Sequence, residues 1–138
     1  MLQELVKCFK EKDSVIRELA SRAILKVACT EHGRETLIKN KIVAEIKTLF
    51  DDGEVKIRRN AYVSLINLAS FRFGIDNVIE ASTLPTLVDK LILEKEESIL
   101  ILILQLLKVL SEGEKAPNIL LSTPSLARLN THLASKNA

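Results

Sequence analysis

The sequence predicts an all-α fold, a right-handed α–α superhelix of stacked repeats, on three observations. The 138-residue chain repeats itself at a step of 41 positions, its apolar residues recur at helical spacing, and 4 Gly with 3 Pro make few turns. A period of about 40 residues is that of helical solenoids. A sandwich or barrel of many short strands would need more turn makers. The chain is 47% hydrophobic but 4% aromatic, without Trp, so its core is built from Leu, Ile, Val and Ala.

The repeat is read by sliding the chain over itself. SVIRELASRAILKVACTEHGRETLIKN (14–40) falls on VKIRRNAYVSLINLASFRFGIDNVIEA (55–81). Ile16 meets Ile57, Arg17 meets Arg58, Ala20 meets Ala61, Ala28 meets Ala69, Gly33 meets Gly74 and Ile38 meets Ile79. A further step of 41 lays SILILILQLLKVLSEGEK (98–115) on IRRNAYVSLINLASFRFG (57–74), with Leu65 on Leu106 and Leu68 on Val109. The unit that results is a short, a medium and a long helix. It divides the chain into a partial first repeat (1–30), a second (31–71), a third (72–112) and the start of a fourth (113–138).

Each element has a local reason. EKDSV and FDDGE place acidic and turn residues before the long helices, where the helix dipole favours negative charge. Gly33 and Gly74 follow those helices and are expected to end them in the left-handed conformation that glycine adopts cheaply. RETLIKN and IDNVIEA then form the short helix, and IVAEIKTLF and LPTLVDKLI the medium one. Pro85 sits near the start of the latter, where its missing N–H is tolerated. The run SILILILQLLKVL is the hardest to place, because β-branched residues alternating with Leu also suit a strand. On a helix, Ser98, Gln105, Lys108 and Glu112 fall within an arc of about 80°. The remaining surface is apolar, which predicts a helix buried on nearly every side.

Several functional classes are excluded or disfavoured. The apolar run Ile99 to Leu110 covers 12 residues and contains Lys108, short of the roughly 18–20 needed to span a bilayer. MLQELVKCFK lacks the continuous apolar segment of a secretory signal. A net charge of +2, from 20 basic and 18 acidic residues, gives the chain little attraction for nucleic acid or a membrane surface. KIRRN is the one dense basic spot and reads as a solvated face beside acidic neighbours. Cys8 and Cys29 read as reduced core thiols of a cytoplasmic protein. His32 and His132 lack partners at triad-like spacing, and Cys29 with His32 is half of a zinc site without its second pair. Asp51–Asp52 and Glu94 with Glu96–Glu97 are explained by helix starts. There is no Gly-rich phosphate loop. No catalytic residue, cofactor, metal or small-molecule substrate is expected, and the partners expected are other proteins.

The motifs IRRNAYVSLINLAS, with Asn67 near its end, then Gly74, then VIEASTLPTLVDKL, resemble the armadillo repeat, a three-helix relative of the HEAT repeat. Within that family, CFKEKDSVIRELA, GRETLIKNKIV, STLPTLVDKLILEKEESI and LARLNTHLASKN resemble the radial spoke head protein 14 homologues of ciliary axonemes. The resemblance implies a non-enzymatic scaffold docked in a large assembly, the radial spoke of a cilium or flagellum. It also implies further repeats on both sides, so that the chain would be an internal portion or a shortened form.

In armadillo proteins that grip extended peptides, third helices line a concave groove, with an Asn near each helix end and, in import receptors, a Trp four residues earlier. Carried onto this chain, the Asn position is Lys26, Asn67 and Lys108, matched at Asn67 alone, and the Trp position is Arg22, Val63 and Leu104, matched nowhere. The resemblance therefore implies no regular peptide ladder. It leaves a polar and basic strip of Arg22, Lys26, Asn60, Ser64, Asn67, Gln105 and Lys108 as the candidate docking surface. The array ends are a second candidate, because LVKCF and LARLNTHL keep an amphipathic pattern in place of polar caps.

Overall fold

The structure, a computed structural model, describes residues 1–137 apart from Arg72 and Thr123, and describes Ser125, Leu126, Leu129, Lys136 and Asn137 without their side chains. In chain order the helices are α1 (Leu2–Lys7), α2 (Ser14–Ala28), α3 (Glu31–Lys39), α4 (Val43–Thr48), α5 (Val55–Ala69), α6 (Gly74–Glu80), α7 (Thr83–Leu93), α8 (Glu97–Leu110), α9 (Ala116–Ser122) and α10 (Pro124–Asn137). Single 3-10 turns, Cys8–Lys10 and Leu49–Asp51, extend α1 and α4. The described residues contain no strand. α3–α4–α5 and α6–α7–α8 are successive triplets that each end on a long helix; the expected short–medium order holds for α6 (7 residues) and α7 (11 residues), but α3 (9 residues) is not shorter than α4 (6 residues). The long helices α2, α5 and α8 stack side by side, and that stack is the spine of a right-handed α–α superhelix.

The long helices begin at residues that do not enter the helix themselves. Asp13 precedes α2 with extended backbone, and its carboxylate accepts the Val15 N–H at 2.9 Å. Glu54 and Glu96 hold the same place before α5 and α8. Their own N–H groups are bound by carboxylates two residues earlier, Asp52 at 3.0 Å and Glu94 at 3.1 Å. From Asp13 to Glu54 the step is 41 residues, but from Glu54 to Glu96 it is 42. One residue is therefore inserted in the loop before α8. This corrects the register read from the sequence: Leu68 aligns with Leu110 and not with Val109, and Asn67 aligns with Val109 and not with Lys108.

The glycines are also used differently from the expectation. None has positive φ. Gly33 lies in the first turn of α3 and Gly74 opens α6, each pressed against the end of the preceding long helix. A Cβ on Gly33 would lie 1.8 Å from the Val27 carbonyl oxygen, and one on Gly74 would lie 1.6 Å from that of Leu68. Glycine is required here by close approach of backbone, not by handedness. The left-handed positions are Lys41 (φ 54°) and Ser82 (φ 59°), between the first and second helices of their triplets. The two are again 41 residues apart.

The core runs along the spine. Ile57, Ala61, Leu65 and Leu68 of α5 are buried between the α2 and α8 sides, and Ile99, Ile103, Leu106 and Leu110 continue the core into α8. Phe50 stacks on Tyr62 with centroids 4.1 Å apart and planes inclined by 10°. Burial, reinforced by the Glu94 charge, pushes the Tyr62 phenol well above its ordinary pKa, and its hydroxyl has no hydrogen-bond partner. α8 is a helix, as expected, but it is not buried on nearly every side. Leu104 is 54% exposed where its α5 counterpart Tyr62 is buried, since among the described residues no further long helix stacks on α8, whereas Ile101, 51% exposed, falls at the position that Arg59 leaves open on α5 as well. At the opposite end Ile16 and Leu19 of α2 are exposed where their α5 counterparts Ile57 and Asn60 are buried, and Val15 is exposed like its counterpart Lys56. Cys29, expected in the core, is exposed at the end of α2, and Cys8 is half-buried. In LARLNTHL, Leu133 is exposed, and the side chains of Leu126 and Leu129 lie outside the described residues.

Gly74→Ala is expected to destabilise the fold by about 1–3 kcal/mol, because the added methyl meets a backbone carbonyl that must shift to admit it. Gly53→Ala, with open space around its Cβ position, is the matched control. Chemical denaturation of both variants measures the difference.

Candidate functional site

A docking surface on a solenoid is as good as the alignment of its helices, and two arginine forks set that alignment. Arg17 on α2 donates from Nε to Asp52 Oδ2 at 2.7 Å and from Nη2 to Asp52 Oδ1 at 3.2 Å. Its Nη1 reaches back to the carbonyls of Glu11 and Lys12, at 2.8 and 2.9 Å. Arg58 on α5 repeats the arrangement one unit later. It grips Glu94 through Nε at 3.0 Å and Nη2 at 2.9 Å, and its Nη1 reaches the carbonyls of Asp52 and Gly53 at 2.9 and 3.2 Å. Each guanidinium thus ties the loop before its own helix to the loop before the next one. The planar fork is what makes this possible, since a lysine ammonium could not serve both loops bidentately. At the third position the fork ends: the equivalent residue of α8 is Leu100.

The acidic residues Asp52 and Glu94 do more than complement helix dipoles, the role their positions in the sequence predict. They are the receivers of the forks, with the Asp52 and Glu94 side chains nearly covered. Burial pushes the Asp52 carboxyl up, but the hydrogen bonds from Arg17 and from the Glu54 N–H outweigh it. Together with the charges of Arg17 and Arg58 they hold that carboxyl below its ordinary 3.8. The Arg17–Arg58 identity was the signal in the sequence. Its meaning was hidden because the partners, at 52 and 94, are one residue out of step with it. KIRRN likewise divides: Arg58 is taken into a fork, while Lys56 and Arg59 remain exposed.

The polar strip expected along the third helices is partly assembled. Arg22 and Lys26 are exposed on α2, with Arg22 ion-paired to Glu18, and Gln105 and Lys108 are exposed on α8. Asn67 is half-buried on α5 and turns its amide to Cys29, the residue that follows α2, Nδ2 to Sγ 3.7 Å. Asn60 and Ser64 are not on the strip. Asn60 is 6% exposed and donates to Ser21 Oγ of α2 at 2.9 Å, and Ser64 Oγ donates to the Asn60 carbonyl at 2.7 Å. They form a polar seam inside the α2–α5 contact, a place that helical spacing alone could not separate from the adjoining open face. In their stead the structure exposes Lys56 and Arg59, which lie between the α2 and α8 portions of the strip. The surface is basic and shallow. Among the described residues no three His, Cys, Asp or Glu side chains gather in a way that could hold a metal ion.

A second row of contacts backs the strip from the other helices. Lys47 of α4 donates from Nζ to the Ala81 carbonyl at the end of α6, 2.6 Å away, and burial lowers its pKa. Lys90 of α7 pairs with Asp51, and Arg128 of α10 pairs with Asp89 of α7. These join each medium helix to its neighbours across the triplets.

With this geometry, the chain has the fold of an armadillo-type α-solenoid. A designed armadillo repeat protein superposes on it with a TM-score of 0.72 at 20% identity, over 97% of this chain and 53% of that one. The crystal structure of an engineered protein superposes with a TM-score of 0.77 at 21% identity, over 91% of this chain and 52% of that one. A further engineered protein gives a TM-score of 0.71 at 18% identity, over 95% and 60%. The chain thus spans little more than half the length of these solenoids. No protein-family model and no curated protein matches it.

Two outcomes follow from the forks. Arg58→Ala is expected to cost about 1–3 kcal/mol, since it leaves Glu94 unpaired and two loop carbonyls without their donor. Arg58→Lys should recover less than half of that loss in urea denaturation. The Asp52 carboxyl, depressed in the folded state, contributes stability that is fully present above its unfolded value and is lost as pH falls through the lower folded one. Stability is therefore expected to decline below about pH 4, and Asp52→Asn should flatten that decline in denaturation measured from neutral to acid pH.

Proposed function

We propose that this chain is a non-enzymatic protein-docking scaffold, and a structural component of the radial spoke of a ciliary or flagellar axoneme. The observation that carries the scaffold reading is the forked spine. Arg17 and Arg58 lock consecutive loops at fixed spacing, and that rigidity serves a surface on which other proteins are held in register. Apolar residues uncovered at the two ends of the stack, with Val15, Ile16 and Leu19 on α2, add surface for such contacts. Fully burying one such side chain contributes roughly 1.5–3 kcal/mol. The axonemal assignment rests on the resemblance of CFKEKDSVIRELA, GRETLIKNKIV and STLPTLVDKLILEKEESI to radial spoke head protein 14 homologues.

A second reading, an adaptor that captures a linear acidic peptide for transport or signalling, is favoured by the basic strip. Lys26, Lys56, Arg59 and Lys108 are all exposed on it. Charge there steers encounter and selects partners more than it adds affinity. Asn67 is the one Asn at the family's peptide-binding position.

Purifying the tagged chain with its native neighbours from ciliated cells tests the assignment. Radial spoke proteins are the expected neighbours, and recovery with soluble import factors in their place would overturn it. In the same preparation Asn67→Ala should leave assembly intact while Leu19→Glu weakens it. A chain whose capture is abolished by Asn67→Ala or Lys26→Glu, and not by Leu19→Glu, is the peptide adaptor.

A further inference from the structure

A cleft between α3 and α6 has the build of a docking site separate from the basic strip, which lies on the long helices. Its inner part is a cavity of about 300 Å³ floored by Ile38, Val43, Ala44 and Ala81, with Asn77 and Glu80 on the α6 wall. Lys47 Nζ donates to the Ala81 carbonyl at 2.6 Å, which fixes α4 against the end of α6 and sets the width of the cavity. Phe73 lies one helical turn before Asn77, beyond the end of the cavity, and is 62% exposed. Asn77 Nδ2 donates to the Phe73 carbonyl at 3.0 Å, and the Phe73 ring meets Phe71 edge to face at 6.3 Å. The triplets that carry α3 and α6 are adjacent and both are complete. Repeats added at either end of the stack would therefore leave this cleft uncovered.

The spacing of α3 from the loop after α5 is particular to this interval of the stack. Arg34 of α3, with Nη1 on the Ala28 carbonyl at 3.2 Å, places its guanidinium carbon 5.9 Å from the Phe71 ring centroid. One unit later the counterparts of Arg34, Ile38 and Phe71 are Ile75, Ile79 and Gly113. There the loop rests directly on the helix: a Cβ at Gly113 would lie 2.8 Å from Ile79 Cδ1 and 2.9 Å from Ile75 Cγ2. Charge selects what the cleft accepts. Glu31 and Glu35 fall on the Ile38 face of α3, and Asp76 and Glu80 follow Phe73 along one edge of α6. All four acids are exposed, and none is in an ion pair among the described residues. Of the nearby cations, Arg34 is held by Ala28 and Phe71, and Lys41 lies across the cavity at the α3–α4 turn.

We propose that the α3–α6 cleft docks a linear segment of another protein. One aliphatic side chain of the segment enters the cavity, and a lysine or arginine close to it in sequence lies against Phe73, Asp76 and Glu80. The cavity is at the lower limit of small-molecule pockets, and its rim residues Lys41, Ala44 and Glu80 are exposed. That shape suits a side chain carried on a polypeptide better than a free ligand. A cation against the Phe73 ring gains from the ring's negative face while its hydrogen bonds go to the two carboxylates. The basic strip would take the opposite charge, so the two surfaces sort partners electrostatically.

Panning a random linear-peptide phage library against the full chain tests this, with affinities of the selected peptides measured by fluorescence anisotropy. The expected peptides share an aliphatic residue within a few positions of a lysine or arginine. Ala44→Arg, which fills the cavity, and independently Phe73→Ser should each raise their dissociation constant about tenfold or more. Both positions are exposed, so helical circular dichroism should be unchanged. Glu80→Lys should weaken binding similarly, and glutamate in place of the peptide's basic residue should then restore it. Lys26→Glu with Lys108→Glu on the strip should leave binding as it was. Selection of no peptide, or of peptides indifferent to both Ala44→Arg and Phe73→Ser, would overturn the proposal. So would selection of acidic peptides alone, lost on Lys26→Glu, which would leave the strip as the peptide site.

Discussion

No helix of this chain can cover its own apolar surface; each long helix is completed by the one stacked against it. α5 is the completed case, with Ile57, Asn60 and Tyr62 all buried, Asn60 bonded to Ser21 of α2 and Tyr62 stacked on Phe50. α2 and α8 are completed on one side each, and their other sides expose Leu19 and Leu104. Contacts in such a stack are between neighbours, so cohesion is added unit by unit and not through one central core. The short helices matter chiefly because they bring the next long helix into place, which is why Gly33 and Gly74 sit where the backbone of one triplet touches that of the last.

Apolar stacking is non-directional and would permit neighbouring long helices to slide or rotate. The arginine forks remove that freedom. Arg17 and Arg58 each engage a carboxylate across the interface and two carbonyls at home, so any shift of one loop relative to the next breaks charge-assisted hydrogen bonds. The buried Asn60–Ser21 bond adds a second directional contact within the α2–α5 contact. Between α5 and α8 the corresponding seam is Leu102 and Leu106, purely apolar. Specificity of alignment therefore comes from polar groups at one interface and from the fork at both, while most of the cohesion comes from Leu, Ile and Val.

The same division decides which side chains stay exposed. Side chains that point between long helices are spent on stacking, and those that point along the open edge stay exposed, which is why the proposed docking strip lies there. Lys26, Lys56, Arg59 and Lys108 occupy that edge, and Arg22 shares it with Glu18. On the proposed docking reading, separated cations on a stiff frame would discriminate by spacing, because the frame cannot adjust to a partner whose acidic groups fall elsewhere.

The helical class, the triplet order and the repeat could be read from the residues alone, because apolar periodicity, acidic helix starts and the Arg17–Arg58 and Gly33–Gly74 coincidences are local or strictly periodic signals. What the residues could not disclose depends on neighbours. One inserted residue before α8 moves the alignment of its whole length, and a one-residue slip on a helix rotates every side chain by about 100°. Asn60 and Ser64 look like strip residues until α2 is laid over them. Leu104 looks like a core residue until, among the described residues, no long helix is found on its side, and Ile101 looks like one until it falls at the exposed position of Arg59. Period and pattern are properties of a chain taken one helix at a time, whereas burial is a property of two helices at once, and it was the packing of α2, α5 and α8 that assigned it.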